Sequence, residues 1–307
     1  MDKKPEPGPL FFLSFMLTLA SLTKKPLLPM PASPIFDLFD LKDRVYLVTG
    51  ATGALAGSAA DYLAAQGARV VYLGRSAEKL DAALVRCRAA APDAQVFAAV
   101  ADVLDREALE RARDAILAKW GRIDGLLNGA GGNMPGATIT PDKSFADLDF
   151  EAFSQVIDLN LHGTVLPTLV FLPAMIAAKR GAIVNFSSAA SAQALTRVVG
   201  YSAAKAAVDN FTRWLAVDAA RRTGGAVRVN AVLPGFFLGD QNRRLLLNED
   251  GTLTDRGRTI QQKTPFGRFG SKEELHGAIH YLLADASRFV TGTVLAVDGG
   301  FGAFSGV

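Results

Sequence analysis

Length, composition and charge set the first limits on this chain. It has 307 residues, 33 lysines and arginines, 30 aspartates and glutamates and a formal net charge of +3, so it is long enough for one large or two ordinary domains. No basic run is interleaved with aromatic residues, which argues against a nucleic-acid partner, and the single cysteine, Cys87, excludes a disulfide within the chain.

An N-terminal extension precedes the predicted elements. Residues 1–40 carry a basic start, an apolar run at 9–22 and a Pro-rich stretch. That run is shorter than the about 20 residues of a membrane span, and no small-x-small cleavage site follows it closely. We favour a disordered extension, or translation from Met30, over an export signal. The domain is then expected at 41–307, in the cytoplasm and without a membrane partner.

The first predicted strand runs into a glycine-rich turn. In VYLVTGATGALAG, an apolar run precedes Gly50, Gly53 and Gly57. Glycines allow a tight turn and let the backbone approach a pyrophosphate, whose charge is favoured at the N-terminus of the following helix. The turn therefore predicts a dinucleotide site, although such a turn alone is weak evidence.

The second predicted strand, ARVVYLGR, bears on the choice of dinucleotide. An acidic side chain at its end would bind the adenosine ribose and repel a 2′-phosphate, but Gly74 stands there, followed by Arg75 and Ser76. A guanidinium beside a hydroxyl suits a phosphate, so NADP(H) is favoured over NAD(H). The alternative is that Arg75 is a solvated cation and Ser76 only caps the next helix.

Two residues four apart carry the strongest chemical signal. Tyr201 and Lys205, in GYSAAKAAVDNF, would share one helix face, where the Lys205 ammonium can stabilise a Tyr201 phenolate. A free phenol, with a pKa of roughly 10, is a poor base near neutrality, and a nearby cation lowers that pKa. Ser188, in VNFSSAAS, is placed to hydrogen-bond a substrate oxygen. The three residues predict a carbonyl-reduction site.

The alternation of strands and helices predicts the fold. Apolar strands separated by helical stretches indicate an α/β protein, a single-domain Rossmann fold with a doubly wound parallel sheet of about seven strands and helices on both faces. Ser76 and Asp105 are predicted helix caps, and Ser271 with Glu274 a capping box. The three histidines have no ligand-like companions, so no metal site is expected.

These motifs, in this order, resemble the short-chain dehydrogenase/reductase family over about residues 41–300. The chain departs from the family pattern in having Ala54 and Ala56 at two glycine positions of the first turn, and Gly129 for the second asparagine of Asn-Asn-Ala-Gly. The resemblance implies an NAD(P)-dependent oxidoreductase with a catalytic set of Ser188, Tyr201, Lys205 and Asn160, in which the asparagine holds a water for proton relay. It also implies a set of cofactor-binding residues: Gly50, Thr52, Gly53, Leu55, Arg75, Ser76, Asp102, Val103, Asn128, Ala130, Gly131, Tyr201, Lys205, Pro234 and Gly235.

Several segments, among them LTRVVGYSAAK, PGFFLGDQNRRLL and TPFGRFG, resemble the branch of D-mannonate oxidoreductases, or fructuronate reductases. That resemblance implies reduction of the C5 ketone of D-fructuronate to D-mannonate, with Tyr201 as proton donor. A sugar acid requires a cation for its carboxylate and polar groups for its hydroxyls. The substrate candidates are therefore Ser188, Arg197 and, within a segment at 236–269 expected to close over the substrate, Gln241, Asn242 and Arg243.

Alternatives remain at this stage. Another reductase of the family, acting on a ketose, polyol, keto acid or 3-oxoacyl thioester, would share every catalytic residue. A non-catalytic dinucleotide-binding protein is the second alternative, although it would not require a tuned phenol. Each arginine could instead form an ion pair at the surface or at a subunit contact. The family resemblance also implies a homotetramer built through the helices beginning near Phe150 and Tyr201.

Overall fold

Residues 35–239 and 243–306 are described by the structure, a computed structural model of the protein. The chain divides into two units, Met1–Leu38 and Phe39–Val307. In the first, only the short helix Ile35–Leu38 lies within the described part. The apolar run at 9–22, the alternative start at Met30 and two substrate candidates, Gln241 and Asn242, lie outside the described residues.

Seven parallel strands form one sheet in the order β3-β2-β1-β4-β5-β6-β7. Their bounds are β1 (Val45–Thr49), β2 (Arg69–Gly74), β3 (Val96–Val100), β4 (Gly125–Asn128), β5 (Gly181–Phe186), β6 (Val227–Pro234) and β7 (Val294–Val297). β1 is buried along its whole length, as expected for a strand covered on both faces. Alternate residues of β1 belong to different core clusters, Tyr46 and Val48 to one, Val45 and Leu47 to the other.

Helices cover both faces of this sheet. Their bounds are α1 (Ala54–Ala65), α2 (Ala77–Ala90), α3 (Arg106–Trp120), α4 (Phe150–Ile157), α5 (Gly163–Ala178), α6 (Ala189–Ala192), α7 (Val199–Thr223), α8 (Arg243–Leu246), α9 (Asp255–Lys263) and α10 (His276–Leu283). Buried residues of α1, α2 and α10 share one core cluster, and those of α3, α5 and α7 share the other. This confirms the predicted doubly wound Rossmann fold.

The predicted helix caps are also confirmed. The Ser76 hydroxyl accepts a hydrogen bond from the Lys79 backbone N–H at 3.3 Å and caps α2, and the Asp105 carboxylate caps α3. Ser271 and Glu274 form the predicted capping box. It opens a short 3₁₀ turn, Lys272–Leu275, which leads directly into α10.

One stretch, Phe150–Ala178, is long and apolar enough to cross a membrane by length and composition alone. It comprises α4, a π-helical turn (Asp158–His162) and α5. Phe171 and Met175 on it are fully buried in the cluster that packs on the sheet. It is therefore a core helix of the Rossmann fold.

The strand order reverses between β1 and β4, which opens a crevice at the carboxyl ends of the strands. The chain winds outward from β1 through β2 to β3, then returns to start β4 on the other side of β1. The register aligns Thr49 with Asn128 and Asn128 with Asn185, so β1 and β4 end level with one another and β5 ends one residue further on. Open α/β sheets bind their ligands at such a switch point.

Candidate active site

The loops after β1 and β4 are tied together at the switch point. The Thr49 hydroxyl accepts hydrogen bonds from the backbone N–H groups of Gly129 (3.1 Å) and Ala130 (3.2 Å). Gly50 has a φ of 66°, and a Cβ there would lie 2.8 Å from the Ala130 Cα. Only glycine fits this position, because the conformation and the close approach both exclude a side chain.

The glycine-rich turn leads into an open helix N-terminus. The Gly53 N–H donates to the Gly50 carbonyl at 2.9 Å, and α1 begins at the next residue with no side chain of the described residues capping it. Thr52 and Gly53 are exposed and Leu55 is half-buried beside it. The unpaired N–H groups and the helix dipole make this first turn favourable for a phosphate group.

Two of the three departures from the family pattern, Ala56 and Gly129, lie against each other. A Cβ at Gly129 would come within 2.5 Å of the Ala56 Cβ and 2.9 Å of the Thr49 carbonyl oxygen. Ala56 is buried, so its methyl occupies the space that a side chain at Gly129 would need. The alanine in the first turn and the glycine after β4 therefore form a size-matched pair, which the sequence alone showed only as two separate departures.

Asn128 is held inside the sheet. Its side-chain N–H₂ donates to the Thr168 hydroxyl at 3.0 Å and to Asn185 Oδ1 at 2.9 Å, and Asn185 in turn donates to the Thr212 hydroxyl at 2.8 Å. All four residues are buried. This network joins β4 and β5 to α5 and α7, so Asn128 contributes to the site by fixing where the strands end.

Asn160 lies in the π-helical turn and holds the loop after β4. Its Oδ1 accepts from the Gly132 N–H at 3.0 Å, and its Nδ2 donates to the carbonyls of Gly132 (2.7 Å) and Val156 (2.8 Å). A Cβ on Gly131 would lie 2.6 Å from Asn160 Oδ1 and 3.3 Å from Lys205 Nζ. Asn160, Gly131 and Lys205 therefore meet at one point, although they come from three elements.

Ser188, Tyr201 and Lys205 are brought together as predicted. Ser188 follows β5, and its hydroxyl accepts from the Ala190 N–H at 3.2 Å. It lies near enough to Tyr201, on the first turn of α7, to influence the pKa of that phenol. Lys205, only 3% exposed, places Nζ 5.6 Å from the centroid of the Tyr201 ring and donates to the Phe186 carbonyl at 2.8 Å. A buried ammonium and a half-buried phenol thus share one end of α7.

The predicted direction of the tyrosine shift is wrong in this structure. Burial raises the pKa of Tyr201 above its ordinary value, and the nearby Ser188 hydroxyl offsets only part of that rise. Burial also lowers the pKa of Lys205 to about 8, opposed by the negative charge of Asp209. Removing both groups from water disfavours the phenolate and the ammonium alike. The i,i+4 spacing predicted their proximity but not this shared desolvation.

Asp209 and Ser191 form a support that sequence analysis missed. Ser191 Oγ lies 2.6 Å from Asp209 Oδ2, 2.8 Å from the Ser188 carbonyl oxygen and 3.1 Å from the Ser187 hydroxyl. Asp209 is 7% exposed and stands one turn after Lys205 on α7. The signal available in the sequence was this second i,i+4 step, a carboxylate placed four residues after the lysine.

The predicted adenosine end of the site contains an ion pair. Arg75 Nη1 lies 3.8 Å from Asp102 Oδ2, with the two side chains 74% and 39% exposed. The other Asp102 oxygen accepts from the Leu104 N–H at 2.9 Å, and Val103 is buried. Ser76 caps α2, which confirms the alternative interpretation of this residue as a helix cap. Arg75 is thus restrained near the ends of β2 and β3 but remains open to a ligand.

The segment after β6 carries the remaining candidates. The Gly235 N–H donates to the Val297 carbonyl at 3.0 Å, and a Cβ there would lie 2.7 Å from the Asp298 Cα, so the Pro234-Gly235 turn is held against the end of β7. Arg243 is exposed at the start of α8. Arg197 has a φ of 79°, and its carbonyl accepts from the Ile139 N–H at 3.0 Å.

Comparison with known proteins places this geometry in a family. The short chain dehydrogenase family model matches residues 44–250. The uncharacterized oxidoreductase UxuB of Bacillus subtilis is 44% identical over 270 residues, which covers 85% of this chain and 95% of that protein. Gluconate 5-dehydrogenase of Gluconobacter oxydans is 36% identical over 254 residues, covering 83% and 93%. A solved structure from Haemophilus influenzae, described as a candidate D-mannonate oxidoreductase with bound NAD, is 38% identical, with a TM-score of 0.81 and coverage of 87% and 98%.

Proposed function

The chain belongs to the short-chain dehydrogenase family and is a nicotinamide-dependent oxidoreductase, and we propose that it reduces the C5 ketone of D-fructuronate to give D-mannonate. The observation that carries the proposal is the similarity along nearly the whole Rossmann unit to the structure described as a candidate D-mannonate oxidoreductase. A second relative is named for the same carbon of another six-carbon sugar acid. That name makes reduction of 5-oxo-D-gluconate the second candidate reaction.

The residues of the switch point fit a nicotinamide dinucleotide. The first turn of α1 has N–H groups that no described side chain caps, and Thr52 and Gly53 are exposed beside them. Lys205 and Tyr201 would hold the nicotinamide ribose, and Asp102 and Arg75 the adenosine end. When bound, the cofactor supplies the hydride that the carbonyl carbon receives.

The chain's own residues would manage the proton. Tyr201 donates its phenolic proton to the substrate oxygen, and Ser188, which lies beside Tyr201, orients that oxygen. The raised pKa of Tyr201 favours the proton-donating form needed for reduction. Lys205 stabilises the phenolate left behind, and Asn160 fixes the loop beside Lys205, where a water can return the proton. Because Ser188, Lys205 and Asn160 are held by contacts with the backbone, these groups need little reorganisation on binding.

The cofactor that we propose is NADP(H), with NAD(H) as the competing choice. Gly74 leaves no carboxylate at the end of β2 to repel a 2′-phosphate, and the Arg75 guanidinium next to it is 74% exposed. In favour of NAD(H), the Haemophilus structure is described with bound NAD, and the Asp102 carboxylate offsets part of the Arg75 charge. The ratio of kcat/KM for NADPH and NADH decides between the two.

The test of the reaction is the initial rate of NADPH and NADH oxidation with D-fructuronate and with 5-oxo-D-gluconate. We expect rapid oxidation with D-fructuronate that Tyr201→Phe abolishes while leaving dinucleotide binding intact. Faster turnover of 5-oxo-D-gluconate would select the second candidate. Turnover unchanged by Tyr201→Phe would contradict the proposed mechanism, whichever substrate is used.

We also propose a homotetramer, on the basis of apolar side chains left in solvent. Phe150 on α4, Leu169 on α5 and Trp214 on α7 are 75%, 57% and 65% exposed. Large apolar side chains on neighbouring core helices are typical of subunit contacts. Light scattering should give four times the chain mass, and Trp214→Glu should give a smaller species; a monomeric wild-type protein would refute the assembly.

A further inference from the structure

Two arginines, one on the loop between Ser188 and Tyr201 and one beside it, have no acidic partner among the described residues. Arg197 lies four residues before Tyr201, and Arg256 is the second residue of α9. Both are half-buried, and neither forms an ion pair with an acidic residue in the part of the chain that the structure describes. Arg258, two residues further along α9, is exposed and pairs with Asp255. An unpaired, partly desolvated guanidinium is unfavourable unless an anion binds it.

Arg256 is directed to the loop that carries Arg197. Its Nη1 donates to the Thr196 hydroxyl at 2.9 Å, and its Nη2 to the Thr196 carbonyl at 3.4 Å. Thr196 is the residue immediately before Arg197, so the Arg256 guanidinium lies against the loop that carries Arg197. Burial lowers the pKa of Arg256, and the positive charge of Arg197 lowers it further, as expected for a second cation nearby.

The backbone keeps this arrangement in place. Arg197 adopts a left-handed conformation, with φ of 79°, and its carbonyl is held by the Ile139 N–H at 3.0 Å. On the other side, the Thr254 hydroxyl caps α9 through the Gly257 N–H at 3.0 Å and donates to the Leu245 carbonyl at 2.8 Å. Ligand sites often contain a strained non-glycine residue or adjacent like charges that the surrounding contacts hold in place.

We infer that Arg197 and Arg256 form one carboxylate-binding site, which selects oxo acids over neutral ketones, with Arg256 as a specificity residue that the sequence did not indicate. The inference rests on the proposed reduction of a sugar acid. Two guanidinium groups present several N–H donors, a number suited to the two oxygens of one carboxylate. Binding of the anion also removes the repulsion between the two cations, so the free energy gained depends on both arginines.

The experiment compares D-fructuronate with D-fructose, in which a CH₂OH group replaces the carboxylate. Arg256→Met and Arg197→Met should each raise KM for D-fructuronate by about ten- to hundred-fold, the range for a lost charged hydrogen bond. We expect kcat/KM for D-fructose to change by less than about threefold, because that substrate offers no charge to either arginine. Arg258→Met, the matched control on the same helix, should leave both substrates unchanged. Equal losses for the two substrates in Arg256→Met would overturn the inference and assign Arg256 a structural role.

A binding measurement separates this inference from the proposed reaction. D-Mannonate should raise the thermal stability of the dinucleotide-loaded wild type and of Arg258→Met, but not of Arg256→Met, whereas D-mannitol should stabilise none of them. If D-fructuronate is not reduced but this pattern holds for D-mannonate or D-gluconate, the reaction is wrong and the carboxylate site stands. If D-fructuronate is reduced and Arg256→Met keeps its KM within twofold, the reaction stands and the inference is overturned. Stabilisation by inorganic phosphate alone would also overturn it, because the site would then select a different oxyanion.

Discussion

Enlarging Gly129 tests whether the loop after β4 depends on the alanine that it touches in α1. In Gly129→Ala, the new methyl carbon would lie 2.5 Å from the Ala56 Cβ and 2.9 Å from the Thr49 carbonyl oxygen. Both neighbours are buried, and Thr49 also holds the Gly129 and Ala130 N–H groups. Neither can withdraw without disturbing the turn, so the cost should be that of overpacking, about 1–3 kcal/mol. At about 2–4 °C per kcal/mol for a chain of somewhat smaller size, Tm should fall by several degrees.

The assay is thermal denaturation at one fixed protein concentration, with dinucleotide affinity measured in parallel. Ala56→Gly removes one of the two clashes and should cost at most about 1 kcal/mol of helix stability. Combined with Gly129→Ala it should recover part of the lost stability, since only the contact with the Thr49 oxygen then remains. Strict additivity of the two substitutions, or a Gly129→Ala protein as stable as the wild type, would refute the pairing of these positions.

Three further outcomes are expected. Asp209→Asn removes the charge that favours protonated Lys205, so the pKa of Lys205 should fall below its value of about 8. The alkaline limb of the pH profile of kcat/KM should then move to lower pH, and an unmoved limb would rule out this electrostatic role. Arg75→Gln should reduce kcat/KM for NADPH by about ten-fold or more and leave NADH unchanged, and equal effects on both would refute a phosphate contact. His276, whose Nε2 lies 2.9 Å from the Ser58 hydroxyl, has a pKa lowered by burial. The unfolded chain therefore takes up a proton on this histidine more readily than the folded protein does, and the free energy of unfolding should fall as pH drops below 6.5. His276→Gln should reduce that loss in a Tm-against-pH series, and an identical slope would contradict it.

Features governed by neighbours along the chain were predictable. The caps at Ser76 and Asp105 and the box of Ser271 with Glu274 depend on groups three residues away, and all three are confirmed. The parallel sheet followed from apolar runs separated by helical stretches, because strands buried on both faces have few polar positions. Tyr201 and Lys205 could be placed on one helix face because their spacing matches the helical repeat.

Features that depend on contacts between distant segments were not predictable. Ala56 and Gly129 are separated by more than seventy residues, and each looked like an isolated departure until packing at the ends of β1 and β4 brought them together. Arg256 belongs to α9 and meets Thr196 across sixty residues of chain. No pattern in a single sequence records such pairs, because side-chain volume and charge are matched in space and not along the chain.

The sequence by itself determined the fold, since local periodicity and turn chemistry are sufficient for it, and its motifs indicated the family and the candidate site residues through their resemblance to short-chain dehydrogenases/reductases. Only the tertiary structure decided the environment of those residues. Burial of Tyr201 and Lys205 reverses the expected shift in the tyrosine pKa, and Asp209 with Ser191 supports the loop that carries Ser188. Desolvation depends on everything packed around a group, and that quantity exists only once the chain has folded.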